Sequence, residues 1–183
     1  PPYGAQPIGG LDPRFANVAQ GSIKLGGITI PFLVIYAVIA VTIMWFLRNK
    51  TRFGKNLFAV GGNSEAAAVS GVNVGRMLIM VYILAGLFYG LGGSLEAARI
   101  GSATNNTGNG YELDAIAACI VGGLSFSGGI GSIAGIVTGV LIFQVIAYGL
   151  AFVGVNAYIQ YIIKGLIIII AVAIDNRKYI KRK

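Results

Sequence analysis

Long apolar segments alternate with short polar ones along this chain. Four of them are long enough, or nearly so, to cross about 30 Å of hydrocarbon at about 1.5 Å of helix per residue. They are Ile28–Leu47, Met77–Ala97, Ile133–Phe152 and Tyr158–Ile174. This pattern is typical of a helical protein that crosses a membrane several times.

A fifth apolar segment, Leu113–Val121, is too short to cross alone and continues into the glycine- and serine-rich residues 122–132. Irregular backbone cannot face lipid, because its N–H and C=O groups would find no hydrogen-bond partners there. We therefore expect this stretch to be buried in protein or to line a hydrated cavity. Residues 113–132 are predicted to form one broken crossing.

Composition narrows the protein class further. Of the 183 residues, 56% are hydrophobic and 11% are charged, whereas a soluble domain has about 25% charged residues. Cys119 is the single cysteine and the chain has no histidine. Disulfide frameworks, Cys/His metal sites and histidine-based catalysis are therefore excluded, and we expect no bound metal or cofactor.

The basic residues predict the orientation of the crossings. Ten of the 14 Lys and Arg residues lie in the loop 48–76 and the tail 175–183, which places both in the cytoplasm. Residues 1–27 then form an external loop, and 28–183 a single membrane region. An even number of crossings must separate loop from tail, so 113–132 counts as a full crossing and not as a re-entrant hairpin. Because the first methionine is Met44, we expect further sequence upstream.

The cytoplasmic loop contains a short alanine-rich segment that is too polar to cross a bilayer. Asn63 or Ser64 is a suitable N-cap, Glu65 favours the first turn, and Gly71 is a natural end. One interpretation is a connector helix lying on anionic headgroups. The alternative, which we favour because the side chains are small, is a docking element for a cytoplasmic partner. Its candidate residues are Asn63, Ser64, Glu65, Ala66, Ala67, Ala68, Ser70 and Gly71.

Two glycine pairs have the spacing with which membrane helices approach closely. They are Gly86-x-x-x-Gly90 and Gly135-x-x-x-Gly139. In an apolar chain with 28 glycines, such spacings also arise by chance. We consider the two interpretations equally good for either pair.

Polar groups on the external side are candidates for a sugar path, since hydroxyl, amide and carboxylate groups near membrane depth are often functional. The candidates are Glu96, Asn105, Asn106, Tyr111, Glu112 and Asp114. Glu112 and Asp114 could instead cap the short helix and hold the loop, or pair with Arg99 or with a binding protein; we favour this structural role for Asp114, and for Glu112 both interpretations stay open. Lys164 lies about 10 Å into the last segment; it could snorkel outward, pair with Glu96 or line the path, and snorkelling is the default.

Three stretches carry a resemblance to a known family. The segment "EAA" at Glu65–Ala67, followed by Gly71, resembles the coupling loop of bacterial ABC importer permeases. The longer stretches "NKTRFGKNLFAVGGNSEAAAVSGVNV", "YELDAIAACIVGGLSFSGGIGS" and "GVNAYIQYIIKGLIIIIAVAID" are similar to the sugar permeases of the ribose and galactose/methyl-galactoside importers, the latter type most closely. The resemblance extends from Arg48 to Lys183.

The resemblance implies an all-α polytopic transmembrane bundle with a broken span and a short cytoplasmic coupling helix, here the C-terminal half of a permease. It implies a cytoplasmic ATP-binding subunit, a periplasmic sugar-binding protein and a second permease copy as partners, in the bacterial inner membrane, with no nucleic acid. The chain has no G-x-x-x-x-G-K-[ST] segment, so we expect a transport subunit without its own ATPase site.

Two other classes of protein remain open at this point. A channel or secondary transporter fragment would explain the broken crossing but not the docking helix. A membrane scaffold would explain the docking helix but not the polar, glycine-rich crossing.

Overall fold

A computed structural model of the chain describes residues 9–180. In chain order its elements are α1 (Pro13–Gln20), β1 (Ser22–Leu25), β2 (Ile28–Pro31), α2 (Phe32–Lys50), α3 (Arg52–Gly62), α4 (Ser64–Val69), α5 (Val74–Ile100), α6 (Tyr111–Val121), α7 (Ile133–Phe152) and α8 (Ala157–Ile180). The chain forms two units. Residues up to Thr51 together with Gly75–Asn109 make the first, and Arg52–Val74 together with residues from Gly110 onward make the second.

A small β-hairpin precedes the first long helix of the first unit. Strands β1 and β2 pair antiparallel, and the two residues between them, Gly26 and Gly27, have φ of +52° and +96°. Two consecutive residues with positive φ are what a two-residue hairpin turn of type I′ requires. The crossing predicted to begin at Ile28 therefore begins as a helix only at Phe32, because Ile28–Pro31 has its backbone paired with β1.

The segment expected to be a loop, residues 1–27, is partly regular. Helix α1 begins after Asp12, whose carboxylate accepts a hydrogen bond of 2.7 Å from the Arg14 amide, and Pro13 takes the first helical position. The side-chain amide of Gln20, at the end of α1, donates to the Arg99 carbonyl at 3.1 Å. Residues 1–8 of this segment lie outside the described residues.

Two long apolar helices dominate the first unit. Helix α2 has 19 residues and α5 has 27, and both are long and apolar enough to cross a membrane, as is α7 in the second unit. The predicted crossing Met77–Ala97 lies within α5. Large apolar side chains stand exposed along these helices, among them Val38 at 59% and Leu87 at 60%. Such surface requires lipid or other protein against it.

The second unit is built around an antiparallel pair, α6 and α7. A Cβ atom added to Gly139 would lie 2.6 Å from the Gly122 amide nitrogen, so the two backbones touch with no space for a side chain. Ala117 and Ala118 of α6 and Phe143 of α7 form the buried cluster, and residues of α8 complete it: Ile167 and Ile168. The helical fold class is confirmed, with the hairpin as an addition to it.

The segments around α7 and α8 follow the apolar pattern closely. Helix α7 has the bounds of the apolar segment 133–152. Helix α8 begins one residue before the predicted crossing 158–174 and continues through 180, so most of the expected tail, 175–183, prolongs the helix. Residues 181–183 lie outside the described residues. That these helices cross a membrane in the predicted orientation stays a prediction.

Candidate coupling segment and polar path

The short alanine-rich helix predicted in the loop 48–76 is α4. Its N-cap is Asn63, whose side-chain oxygen accepts a hydrogen bond of 2.9 Å from the Ala66 amide. At the other end Gly71 has φ of +85°. The Gly71 amide donates to the Ala68 carbonyl and the Val72 amide to the Ala67 carbonyl, which is the Schellman pattern that ends a helix. Both ends are therefore set by local residues.

A second helix, α3, occupies the part of this loop where sequence reasoning placed no structure. Its apolar residues Phe53, Leu57 and Val60 recur at helical spacing and are half-buried, and α3 packs against α4. That spacing was the available signal. It was obscured by the glycines and basic residues that surround it, which are typical of loops.

One of the eight predicted docking residues is buried in the structure. Ala67 is only 4% exposed, so it faces the protein interior and cannot contact an external partner. The other seven candidates are exposed: Asn63, Ser64, Glu65, Ala66, Ala68, Ser70 and Gly71. Val69, which sequence reasoning left out, is 91% exposed and adds an apolar side chain to this surface.

Three of the predicted path residues belong to the first unit. Glu96 binds Arg99 through two contacts of 2.7 and 2.9 Å, so the Arg99 guanidinium is paired one turn away on its own helix. Asn106 accepts a hydrogen bond of 3.2 Å from the Asn109 side chain, and Asn105 is exposed. The alternatives that paired Arg99 with Asp114, or Glu96 with Lys164, join residues of different units and stay predictions.

The other three predicted path residues lie in the first turn of α6, in the second unit. The Lys164 ammonium of α8 lies 2.5 Å from an Asp114 carboxylate oxygen and 5.6 Å from the centre of the Tyr161 ring. Lys164 therefore pairs with Asp114, a partner that sequence reasoning did not consider, and the interpretation that it snorkels outward stays a prediction. Tyr111 and Glu112, in the same first turn, are exposed.

Close packing accompanies this ion pair. Gly110, the residue before α6, has φ of +84°, and a Cβ atom there would lie 2.9 Å from the Tyr161 ring. A larger residue at this position would require the Tyr161 ring to shift. Of the six path candidates, Glu96, Asn105 and Asn106 fall in one unit and Tyr111, Glu112 and Asp114 in the other, and a path shared by all six stays a prediction.

The known proteins that this chain resembles are permeases, which agrees with its long apolar helices. The chain is 63% identical over 180 residues to the galactose/methyl galactoside import permease protein MglC of Escherichia coli (strain K12), covering 98% of this chain and 54% of the relative. It is 42% identical over 172 residues to the ribose import permease protein RbsC of Bacillus subtilis (strain 168), covering 94% and 53%. The chain thus spans about half the length of the curated relatives it matches. No solved structure matches it.

The resemblance to sugar permeases is confirmed by these relatives. Residues 4–172 match the family model described as branched-chain amino acid transport system / permease component. With three helices of membrane-crossing length in its described part, the protein is a multi-pass membrane protein. Because the family model covers nearly all of the sequence, the chain belongs to this family of transport-system permease components.

Proposed function

We propose that the chain is part of the membrane-spanning permease of an ATP-driven importer for a monosaccharide such as galactose, methyl galactoside or ribose, in the bacterial inner membrane. The observation that carries the proposal is α4, a capped six-residue helix with small exposed side chains, placed in the chain between the membrane-length helices α2 and α5. The names of the relatives, both import permeases, supply the substrate class.

The proposed partners follow from the same assignment. A cytoplasmic ATP-binding subunit docks on α4, a periplasmic sugar-binding protein delivers the substrate, and a second permease copy completes the path. The permease itself hydrolyses no ATP. Specificity for one sugar over another lies mainly in the binding protein, since it selects the substrate before the permease receives it.

The physical mechanism is a rigid-body movement. When ATP closes the pair of ATP-binding subunits, α4 moves with the subunit on which it docks. It moves as a rigid body because the Asn63 cap and the Gly71 turn fix its two ends. The helices joined to it then change their tilt, and the path opens to the other side of the membrane. Small side chains at the contact allow the partner's backbone to approach closely.

The alternative as a channel or secondary transporter fragment is less well supported. It would make use of the broken crossing but leave α4 without a role, and the relatives are named as import permeases. A membrane scaffold would give α4 a role as a docking helix. In a scaffold, however, the ion pair between α6 and α8 would contribute only to stability.

The docking role is tested by adding bulk to the exposed surface of α4. In the full-length permease, we expect Ala68→Trp and Ala66→Trp to abolish co-purification of the ATP-binding subunit and sugar uptake. Ala67→Trp is unsuitable because Ala67 is buried. Thr29→Trp, on the exposed hairpin strand β2, is the control and should retain the subunit. Normal uptake by both α4 variants would contradict the proposal.

A further inference from the structure

The end of α3 touches the loop between α6 and α7, backbone against backbone. A Cβ atom added to Gly61 would lie 2.9 Å from the Gly129 amide nitrogen, and one added to Gly128 would lie 2.5 Å from the Gly61 carbonyl oxygen. Carbon atoms of real side chains do not come this close to backbone atoms. We call the meeting of Gly61 with Gly128 and Gly129 the glycine contact.

One side of the glycine contact lies next to the proposed docking helix. Gly61 is near the end of α3, and Asn63, the N-cap of α4, follows two residues later. The Asn63 amide donates to the Ala59 carbonyl at 3.0 Å. A displacement of α4 therefore displaces Gly61 as well, since one turn of hydrogen-bonded chain joins them and α3 packs against α4.

The other side of the contact is a stiff turn. The Ser125 amide donates to the Ile130 carbonyl at 3.0 Å and the Gly128 amide to the Ser125 carbonyl at 3.2 Å. The Ser125 hydroxyl accepts from the Ser127 amide at 3.3 Å, and Ser125 is only 6% exposed. A turn closed in this way moves as one piece.

Hydrogen bonds attach this turn to the helix on either side of it, α6 and α7. The Leu124 amide donates to the Cys119 carbonyl at the end of α6. The Ser132 hydroxyl accepts from the Gly135 amide at the start of α7, at a distance of 3.0 Å. Gly122 and Gly135 also bring the two helices into backbone contact. Pressure on the turn is therefore transmitted to α6 and α7 together.

We propose that the glycine contact positions the α6–α7 pair and carries the movement of α4 into it; this rests on the proposed docking role of α4. Along the chain, α4 leads directly only to α3 and α5, and α6 comes after the whole of α5 and residues 101–110. The glycine contact is a direct route. It acts by close packing, which transmits a displacement because packed backbone has little room to yield.

The matched variants are Gly61→Ala and Gly62→Ala, one residue apart in α3. Alanine at either position favours the helix. At Gly61 its Cβ would collide with Gly129, whereas at Gly62 it would lie at an ordinary 4.0 Å from the nearest atom beyond its own helix, the Gly129 Cα. A difference between the two variants therefore reports the collision and not a change in helix propensity.

The measurement is made on the full-length permease assembled with its ATP-binding subunit and supplied with labelled sugar and the binding protein. For Gly61→Ala we expect the subunit to be retained and ATP hydrolysis to continue, while sugar imported per ATP hydrolysed falls at least about fivefold, the lower end of typical coupling between sites. Gly62→Ala should keep the stoichiometry of the unsubstituted permease.

A second pair controls for backbone strain. Gly128 and Gly123 have similar positive φ, +89° and +82°, but only at Gly128 would a Cβ meet another atom within 4 Å in the described part of the chain. Gly128→Ala should therefore lower sugar imported per ATP, and Gly123→Ala should not, although both strain the backbone equally.

Two results would overturn the inference. One is equal stoichiometry in Gly61→Ala and Gly62→Ala. The other is loss of uptake in Gly61→Ala only in proportion to loss of folded, assembled permease, which would make the contact structural. An unsubstituted, assembled permease that imports no sugar would instead overturn the proposed function itself, so the two failures are distinguishable.

Discussion

At the scale of single residues, the ion pair Asp114–Lys164 joins α6 to α8 in the second unit. The Lys164 side chain is 13% exposed and that of Asp114 33%, so most of the lysine side chain is covered by the protein. An unpaired charge is costly in apolar surroundings, and the carboxylate at 2.5 Å offsets that cost. The pair therefore fixes where α8 lies against the first turn of α6.

A double-mutant cycle measures this pairing. We expect Asp114→Asn and Lys164→Gln each to lower the free energy of unfolding of the purified full-length permease, and the double variant to lose less than the sum. The expected coupling is about 1–2 kcal/mol, between the values for exposed and for buried pairs. Glu112→Gln, exposed in the same turn, is the control. Strictly additive losses would contradict the pairing.

The sequence predicted contacts between residues that are close together in the chain and missed a contact between distant ones. The Asn63 cap and the Gly71 turn involve residues within a few positions of one another, and both were predicted. The partner of Lys164 lies fifty residues earlier, on another helix. No spacing rule connects these two positions, so the sequence left snorkelling as the default and the ion pair was missed.

At the scale of elements, two identical glycine spacings have different outcomes. Gly135 and Gly139 bring α7 into backbone contact with α6, whereas a Cβ atom added to Gly86 or Gly90 on α5 would meet nothing within 4 Å beyond its own stretch of helix in the described part of the chain. The spacing places two small residues on one face of a helix, but it does not specify which element packs against that face.

The α6–α7 contact has a direct test in thermal unfolding of the full-length permease. Gly139→Ala would place a Cβ against the backbone of α6, and we expect it to cost about 1–3 kcal/mol through overpacking. Gly149→Ala, in the same helix and open within the described residues, should instead stabilise by about 0.5–1 kcal/mol because alanine favours helix. Equal shifts in the two variants would contradict the close approach of α6 and α7.

The sequence predicted the ends of an element accurately only where apolar residues give way to polar or turn residues at those ends. Helix α7 is flanked by Ser132 and the turn at Gly154, and its bounds match the apolar segment. Ile28 is apolar too, but it pairs across the Gly26–Gly27 turn with β1, so apolarity alone extended the first crossing too far. The pairing depends on backbone conformation, which hydropathy does not report.

At the scale of the whole molecule, the chain combines two kinds of helix. The long apolar helices bury few of their residues within the described structure, and the short helix α4 is polar and capped at both ends. The long helices α2 and α5 expose most of their large side chains, as expected for surfaces facing lipid or the rest of a permease. Basic residues concentrate in the loop 48–76 and at the C-terminal end. These charges predict that α3 and α4 lie on the cytoplasmic side.

The location and contacts of α4 can be measured together by labelling an engineered cysteine. In a full-length permease whose other cysteines, Cys119 included, are replaced by serine, Glu65→Cys places a thiol on the exposed surface of α4. A membrane-impermeant maleimide is then applied to intact cells and to inside-out vesicles, with and without the ATP-binding subunit. We expect labelling only in inside-out vesicles, and protection when the subunit is bound. Labelling from outside intact cells, or equal labelling with and without the subunit, would contradict the docking of an ATP-binding subunit on α4.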